Sequence, residues 1–501
     1  MNHIKQLYGH SLSLLTDLYQ LTMAYGYWKT NKIHQEAVFT LFFRKPPFHS
    51  GYTIAAGLGT VLEYLEDLRF TETDLSYLAT LTGVDGKPLF EQAFLDYLGE
   101  LRFDCDIDGI PEGTIVFPSE PLLRVQGSLL QCQLLETALL NIVNFQTLIA
   151  TKAARVCQAT QGDPVLEFGL RRAQGIDGAL TASRAAYLGG CAGTSNVLAG
   201  KLYGIPVKGT HAHSWVMSFA SEDEAFRAYA EAMPNNGIYL VDTFDTINGV
   251  KKAIEVGHWL REKGHQLVGI RLDSGEFVSL SQQARKMLDE AGFEQARIVA
   301  SNDLDEHLIA DLKAAGAKIN LWGVGTKLIT SYEQPALGGV YKLTAIREPG
   351  EEWQYRLKLS EEPIKISNPG LLQVRRFSDA QGQFLGDMIY DQLHTPVGAP
   401  NMVSLAAAFS IHPALPEGHT TLPADTPNQD LLIPVLRKGQ PVVELPSLED
   451  IRTQVQEQLG NAPESIKHLN TPTVYPVHLE LNLYYLKQEL IKEVQCDDGD
   501  C

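Results

Sequence analysis

The sequence predicts an α/β protein: a parallel α/β barrel, TIM-like in either a complete or an incomplete form, plus an α+β domain built from the N-terminal region and part of the C-terminal region. Three observations carry this. From about residue 164, short apolar runs alternate with longer helical segments, as strand–helix–strand crossovers require. Successive runs close on polar clusters, namely Gly209-Thr210-His211-Ala212-His213-Ser214-Trp215, Gly269-Ile270-Arg271-Leu272-Asp273-Ser274-Gly275, Ala300-Ser301-Asn302-Asp303 and Gly323-Val324-Gly325-Thr326. Barrels collect their reactive groups at such strand ends. After Arg347 the helical pattern disappears.

Taken in order, Leu14, Leu18, Leu21 and Tyr25 recur at helical spacing, with Thr16 and Asp17 available as caps, which predicts an amphipathic helix over 18–25 with Tyr19 beside its apolar stripe. Residues 37–43 read as a strand, stopped by Lys45-Pro46-Pro47. A leucine-rich helix over 129–150 reads as the hinge between domains. Barrel strands are expected at 165–169, 205–210, 238–242, 267–272, 297–300, 319–323 and 339–345, and helices at 183–202, 222–232, 249–263, 279–291 and 306–315. That count suits a closed or nearly closed barrel, with a doubly wound open sheet as the alternative. Segments 353–359, 370–377 and 384–390 look like antiparallel strands. The domains are therefore 1–140, joined by 350–440; the barrel, 141–349; and a helical extension, 441–501, ending in the acidic tail Cys496-Asp497-Asp498-Gly499-Asp500-Cys501.

Bulk composition narrows the function. At 501 residues and 44% apolar content the chain can bury two cores. A net charge of −19 repels nucleic acid and anionic membranes, so any anionic substrate needs its own local arginines and lysines. The six cysteines have no metal-type spacing, which fits reduced thiols and a cytoplasmic location. Residues 11–27 are interrupted by Asp17 and Gln20 and do not form a leader. No run approaches the roughly 20 apolar residues of a membrane span.

The strand ends then read as chemistry. A loop histidine can accept a phosphoryl group or simply satisfy loop hydrogen bonds. Phe168 can stack a flat ring, while Arg171 and Arg172 can grip phosphate oxygens. Gly323-Val324-Gly325-Thr326-Lys327 offers amides, a hydroxyl and an ammonium for an anion nest, but matches neither a Walker loop nor a dinucleotide fingerprint. Asp242 and Asp273 can orient ribose hydroxyls or magnesium-bound water, or cap the next helix. There is no Gly-x-Ser-x-Gly elbow and no His-Glu-x-x-His site. The set suits a reaction between a flat ring and a phosphorylated sugar better than hydrolysis.

Six motifs recur together in order: Leu15-Thr16-Asp17-Leu18-Tyr19-Gln20-Leu21-Thr22-Met23, Glu167-Phe168-Gly169-Leu170-Arg171-Arg172-Ala173-Gln174-Gly175, Thr194-Ser195-Asn196-Val197-Leu198-Ala199-Gly200, the His213 segment, Arg271-Leu272-Asp273-Ser274-Gly275 and Gly338-Gly339-Val340-Tyr341-Lys342-Leu343. Over residues 12–390 this ordered set resembles the nicotinate phosphoribosyltransferase family, type II phosphoribosyltransferases. The resemblance implies transfer of the sugar of 5-phosphoribosyl 1-diphosphate to nicotinate, coupled to ATP hydrolysis, with Mg²⁺ or Mn²⁺ and a homodimer. It implies a phosphohistidine at His213, with His211 on the variable position of the motif. It further implies nicotinate contacts from Tyr19, supplied across a dimer interface, and from Phe168, Thr210 and Arg271. Arg171, Asp273, Ser301, Asn302, Gly323, Gly325 and Thr326 are implied for the phosphoribosyl and diphosphate groups. Glu276 stands where the family commonly has Asp. A nicotinamide-specific relative and a catalytically silent barrel scaffold are the rival expectations.

Overall fold

The computed structural model describes residues 2–394, 400–405 and 419–497. The chain divides into two compact units, Met1–Thr147 with Ala336–Cys501, and Leu148–Pro335. The acidic residues Asp498 and Asp500 of the expected tail lie outside the described residues.

In the unit Leu148–Pro335, strand-forming apolar runs are buried on both faces: Val165, Ile270, Leu272, Ile298, Val299, Ala300, Trp322 and Val324 are all inaccessible or nearly so. Continuous burial of this kind demands crossover helices on the sheet, and hence parallel strands. The result is a six-stranded sheet, in the order Gly193–Thr194, Val165–Glu167, Leu321–Val324, Arg297–Ser301, Gly269–Leu272, Ile238–Leu240. All of its pairings are parallel. Helices Thr246–Glu262, Phe277–Glu290 and Glu306–Ala314 link successive strands, each opened by its own acidic cap, Asp245, Glu276 and Asp305.

Three sequence expectations change here. The single helix over 183–202 is two, Gly175–Leu188 and Val197–Tyr203, separated by the edge strand Gly193–Thr194. Gly190 takes φ +121°, a conformation that a side chain would oppose, and ends the first helix. The strand over 205–210 reduces to a lone bridge between Val207 and Thr194. Pro206 lacks an amide to extend it. Among the described residues the hydrogen-bonded ring is consequently open between Val207 and Ile238–Leu240. The run 339–345 is not part of this sheet. As Gly339–Arg347 it pairs antiparallel with Glu36–Phe43 in the other unit.

That other unit holds two larger sheets. One, of seven strands, runs Gln354–Tyr355, Gly339–Arg347, Glu36–Phe43, Leu123–Ser128, Asp106–Gly109, Ile433–Arg437, Gln440–Pro441. Phe39 stacks on Tyr341 at 4.9 Å across one of its pairs. The other, of six strands, centres on the antiparallel pair Leu372–Ser378 and Phe384–Asp391 and includes Val477–Glu480, a strand inside the region expected to be a helical extension. The expected helix over 129–150 is broken at Leu135 into Leu129–Leu134 and Glu136–Ala159. Helix Leu18–Lys29 buries Leu21 and Ala24 against Phe90, Phe94 and Leu98.

At the heart of the second sheet the fully buried Arg376 pairs with Asp387 at 2.5 Å, and the Tyr475 hydroxyl donates to the same carboxylate at 3.0 Å. Burial and the neighbouring Asp387 push the Glu120 carboxyl well up. Replacing Arg376 by Leu strands the Asp387 charge and should lower stability by about 3–5 kcal/mol, read from the urea midpoint. Arg375→Ala, on the same strand but bonded to the solvent-accessible Asp430, should cost no more than about 1 kcal/mol.

Candidate active site

The carboxyl ends of the parallel strands bring together most of the predicted residues. Arg271, near the end of Gly269–Leu272, extends its guanidinium along the sheet edge. Its Nε donates to Ser301 Oγ at 2.8 Å, one terminal nitrogen to Thr210 Oγ1 at 3.1 Å and the other to Asp273 Oδ1 at 2.8 Å. The Ser301 hydroxyl also donates to Asp273 Oδ1. Burial alone would raise the Asp273 carboxyl, but the bond from Ser301 and the charge of Arg271 outweigh it and hold the group below its usual range.

Neither expected aspartate caps a helix. Asp245 and Glu276 do that work, with Glu276 accepting from Val278 N at 3.2 Å and Ser279 N at 2.8 Å. Asp242 is thereby released to accept from Asp273 N at 2.8 Å and Ser274 Oγ at 2.7 Å through Oδ2. Its Oδ1 is buried without a partner among the described residues.

The two histidines, indistinguishable by spacing, have different environments. His213 opens the short helix His213–Met217 and remains two-fifths exposed. Its Nδ1 lies 3.1 Å from Thr243 Oγ1 and its Nε2 3.7 Å from Asp273 Oδ2. His211 is 7% exposed, and its ring meets Tyr229 edge-on at 4.9 Å. An alternating backbone would have sent both side chains the same way. Ala212 between them is extended, and it is burial that separates them.

Phe168 lies at the end of Val165–Glu167, with the Arg271 guanidinium 5.8 Å from its ring centre. A Cβ on Gly323 would come within 2.7 Å of that ring, so glycine here clears the aromatic face. Beneath it Glu167, fully buried, accepts from Ser183 Oγ at 2.9 Å, Thr194 Oγ1 at 2.6 Å and the Gly169 amide. Sequence reasoning assigned Glu167, Thr194, Ser183 and Thr243 no role. The first two lie inside quoted motifs, and only their mutual bonds reveal that they fix the Phe168 turn.

Asn302, at φ +97°, and Asp303, at φ +36°, hold left-handed backbone directly after Ser301. Non-glycine residues sustain such strain mainly at functional sites. Gly325 caps the short helix that begins at Thr326. Lys327 differs from expectation: its ammonium is not free for an anion but bridges Asp305 at 2.5 Å. Arg171 and Arg172 lie exposed in the turn Leu170–Arg172, with no ion pair among the described residues. Tyr19 belongs to the other unit, on helix Leu18–Lys29, and is 48% exposed.

Cation, carboxylate and imidazole converging on the carboxyl edge of a parallel sheet place the chain among α/β proteins that bind small anionic ligands there. Comparison with known proteins narrows that class. Descriptions of the nicotinate phosphoribosyltransferase N-terminal domain, family region and C-terminal domain match residues 14–144, 164–355 and 372–487. Nicotinate phosphoribosyltransferase of Bacillus subtilis is 43% identical over 97% of this chain and 96% of its own, and the human protein of that name 37% identical over 95% and 96%. A crystal structure of human nicotinic acid phosphoribosyltransferase superposes with a TM-score of 0.80 at 33% identity, covering 95% of this chain and 99% of that one. The chain belongs to the nicotinate phosphoribosyltransferase family.

The buried histidine gives the site a pH signature. Burial lowers His211 from 6.5 to about 4, with Arg271 and His213 adding in the same direction. Between those values the unfolded chain takes up a proton that the folded imidazole refuses, so this contribution to stability is complete above pH 6.5 and is lost as pH falls towards 4. Thermal unfolding of wild type should therefore weaken more steeply over that range than that of His211→Gln, measured by calorimetry at several pH values.

Proposed function

We propose that this chain joins nicotinate to 5-phosphoribosyl 1-diphosphate, forming nicotinate mononucleotide and diphosphate in NAD biosynthesis, with ATP hydrolysed through a phosphohistidine at His213. The Arg271–Asp273–Ser301 cluster, with His213 beside it and Phe168 on its flank, is the observation that carries the reading. The pyridine nitrogen attacks the anomeric carbon while the bond to diphosphate breaks. No general base is needed, because that nitrogen already has a lone pair. The protein's work is alignment and stabilisation of the leaving diphosphate.

Phe168 supplies a face for the ring, and Arg271 with Thr210 supplies donors for its carboxylate. Arg171, exposed and without an ion pair among the described residues, together with Asp273, Ser301, Asn302, Gly323, Gly325 and Thr326, serves the phosphoribosyl and diphosphate groups. The half-exposed His213 imidazole accepts the γ-phosphoryl group of ATP and returns it to water. Its added charge orders adjoining loops and couples ATP to affinity. Asp242 fits Mg²⁺ or Mn²⁺, because its buried Oδ1 lacks a partner among the described residues and hard cations take carboxylate oxygens alongside substrate phosphates. That ion would neutralise charge on the diphosphate.

We read the open six-stranded sheet as an incomplete barrel and the enzyme as a cytoplasmic homodimer. Leu18, Tyr19 and Met23 on helix Leu18–Lys29, and Leu15 just before it, are large apolar residues left exposed, which favours cover by a second copy, with Tyr19 stacking on the neighbour's ring.

Purified protein supplied with nicotinate, nicotinamide or quinolinate, each with the sugar diphosphate and with or without ATP, should convert nicotinate best. Asp273 already neutralises part of the Arg271 charge, so the discrimination against nicotinamide should lie near the low end for a lost ionic partner, about 2 kcal/mol, or roughly 30-fold in kcat/KM. Equal turnover of the two rings would remove Arg271 from the carboxylate pocket. In the same assay His213→Ala should lose acid-labile label from γ-labelled ATP and all ATP stimulation, and keep weak uncoupled transfer. Label surviving in that variant would transfer the role to another residue.

A second test addresses assembly. Mixing Tyr19→Ala chains with His213→Ala chains, each without ATP-stimulated transfer, should recover that transfer through hybrid sites. Hybrids without activity would refute a shared site.

A further inference from the structure

The gap in the six-stranded sheet is where the loop carrying Thr210 and His213 passes beside Ile238–Leu240. A strand edge facing such a gap has amides that need acceptors, because an unsatisfied buried amide costs about 1–3 kcal/mol. Leu240 is buried, and its amide donates to Nε2 of His211 at 3.3 Å. The imidazole thus occupies the place of a missing strand's carbonyl. The lone pair on Nε2 requires the proton on Nδ1, which faces the Ala212 carbonyl at 3.4 Å.

Everything around the ring favours this neutral form. Phe226, Tyr229 and Tyr239 enclose it at 6.0, 4.9 and 6.2 Å between ring centres. The charged or titratable groups acting on it electrostatically are Arg271 and His213, and both oppose protonation. Thr210, one residue back, donates to the His211 carbonyl at 3.1 Å while receiving Arg271 at 3.1 Å. Two residues on, His213 meets Thr243. The ring is therefore fastened between two residues of the site.

We infer that His211 is a positioning residue, a neutral Nδ1–H imidazole that latches the loop to Leu240 across the open seam and so aims Thr210 at Arg271 and His213 at Asp273. The catalytic part of this assignment rests on the function proposed above; the latch itself does not. It also gives His211 a place in catalysis without phosphorylation.

Two measurements test the latch independently of turnover. In wild type labelled with ¹⁵N-histidine at neutral pH, His211 should show an unprotonated Nε2 and a protonated Nδ1, and an Nε2–H tautomer would overturn the inference. Hydrogen exchange at the Leu240 amide should accelerate about tenfold in His211→Phe, which keeps an aromatic ring and loses the acceptor, and return towards wild type in His211→Gln, whose amide oxygen reaches a similar place. Unchanged exchange in His211→Phe would overturn it too. For the catalytic role, ATP-dependent labelling of His213 and coupled kcat should fall by about 100-fold in His211→Phe, as displacement of an aligned group does, with KM for nicotinate much less affected and with recovery in His211→Gln. Accelerated exchange alongside wild-type kcat would refute the positioning role while leaving the latch, and loss of the nicotinate reaction in wild type would refute the proposed function alone.

Discussion

One guanidinium organises the site. Arg271 is held at all three nitrogens by groups from three other places in the chain, Thr210, Asp273 and Ser301, and each of those groups is held in turn. Ser301 also bonds Asp273, the Asp273 amide is fixed by Asp242, and Asp242 takes the Ser274 hydroxyl. A charge 15% exposed in a protein of net charge −19 does not depend on the global field for its orientation. Its partners orient it, and a neutralised, rigid cation can still offer its remaining N–H groups to an incoming anion.

The same economy governs the two histidines. A parallel sheet that does not close leaves edge amides, and in this sheet a side chain rather than a strand accepts from Leu240. That requirement assigns His211 to the interior as a neutral acceptor and leaves His213, at the start of a short helix, accessible for chemistry. Their separation in role follows from solvation: the His211 imidazole, enclosed by three aromatic rings, resists charge, whereas His213 stays two-fifths exposed.

Preorganisation extends below the surface. Glu167 ties the Phe168 turn to Ser183 and Thr194, and Gly323 keeps the next strand clear of the ring. Farther down, Glu306 is buried between Lys152 at 2.6 Å and Arg155 at 2.9 Å, directly after Asp305, which pins Lys327 behind Thr326. The lysine expected to bind an anion is thus committed to holding the loop. A mobile ammonium there would have left Gly325 and Thr326 without a fixed geometry.

Periodicity was enough to identify most of the parallel strands, because a strand buried on both faces must be written as a nearly continuous apolar run, as in 267–272, interrupted only near its end by Arg271, and in Ile298 to Ala300. It was not enough for Gly193–Thr194, too short to show a pattern, or for Gly339–Arg347, which reads as a strand but whose partner, Glu36–Phe43, lies some three hundred residues away. The ordered motifs identified the family and most residues of the cluster. They left undecided whether Asp242 and Asp273 cap helices, where Lys327 points and what His211 does. Sequence by itself determined which groups exist and the approximate strand ends on which they lie, since alternation and apolar runs are local properties. Only tertiary structure decided which of them are buried, paired or free, because hydrogen-bond satisfaction and desolvation depend on neighbours distant along the chain.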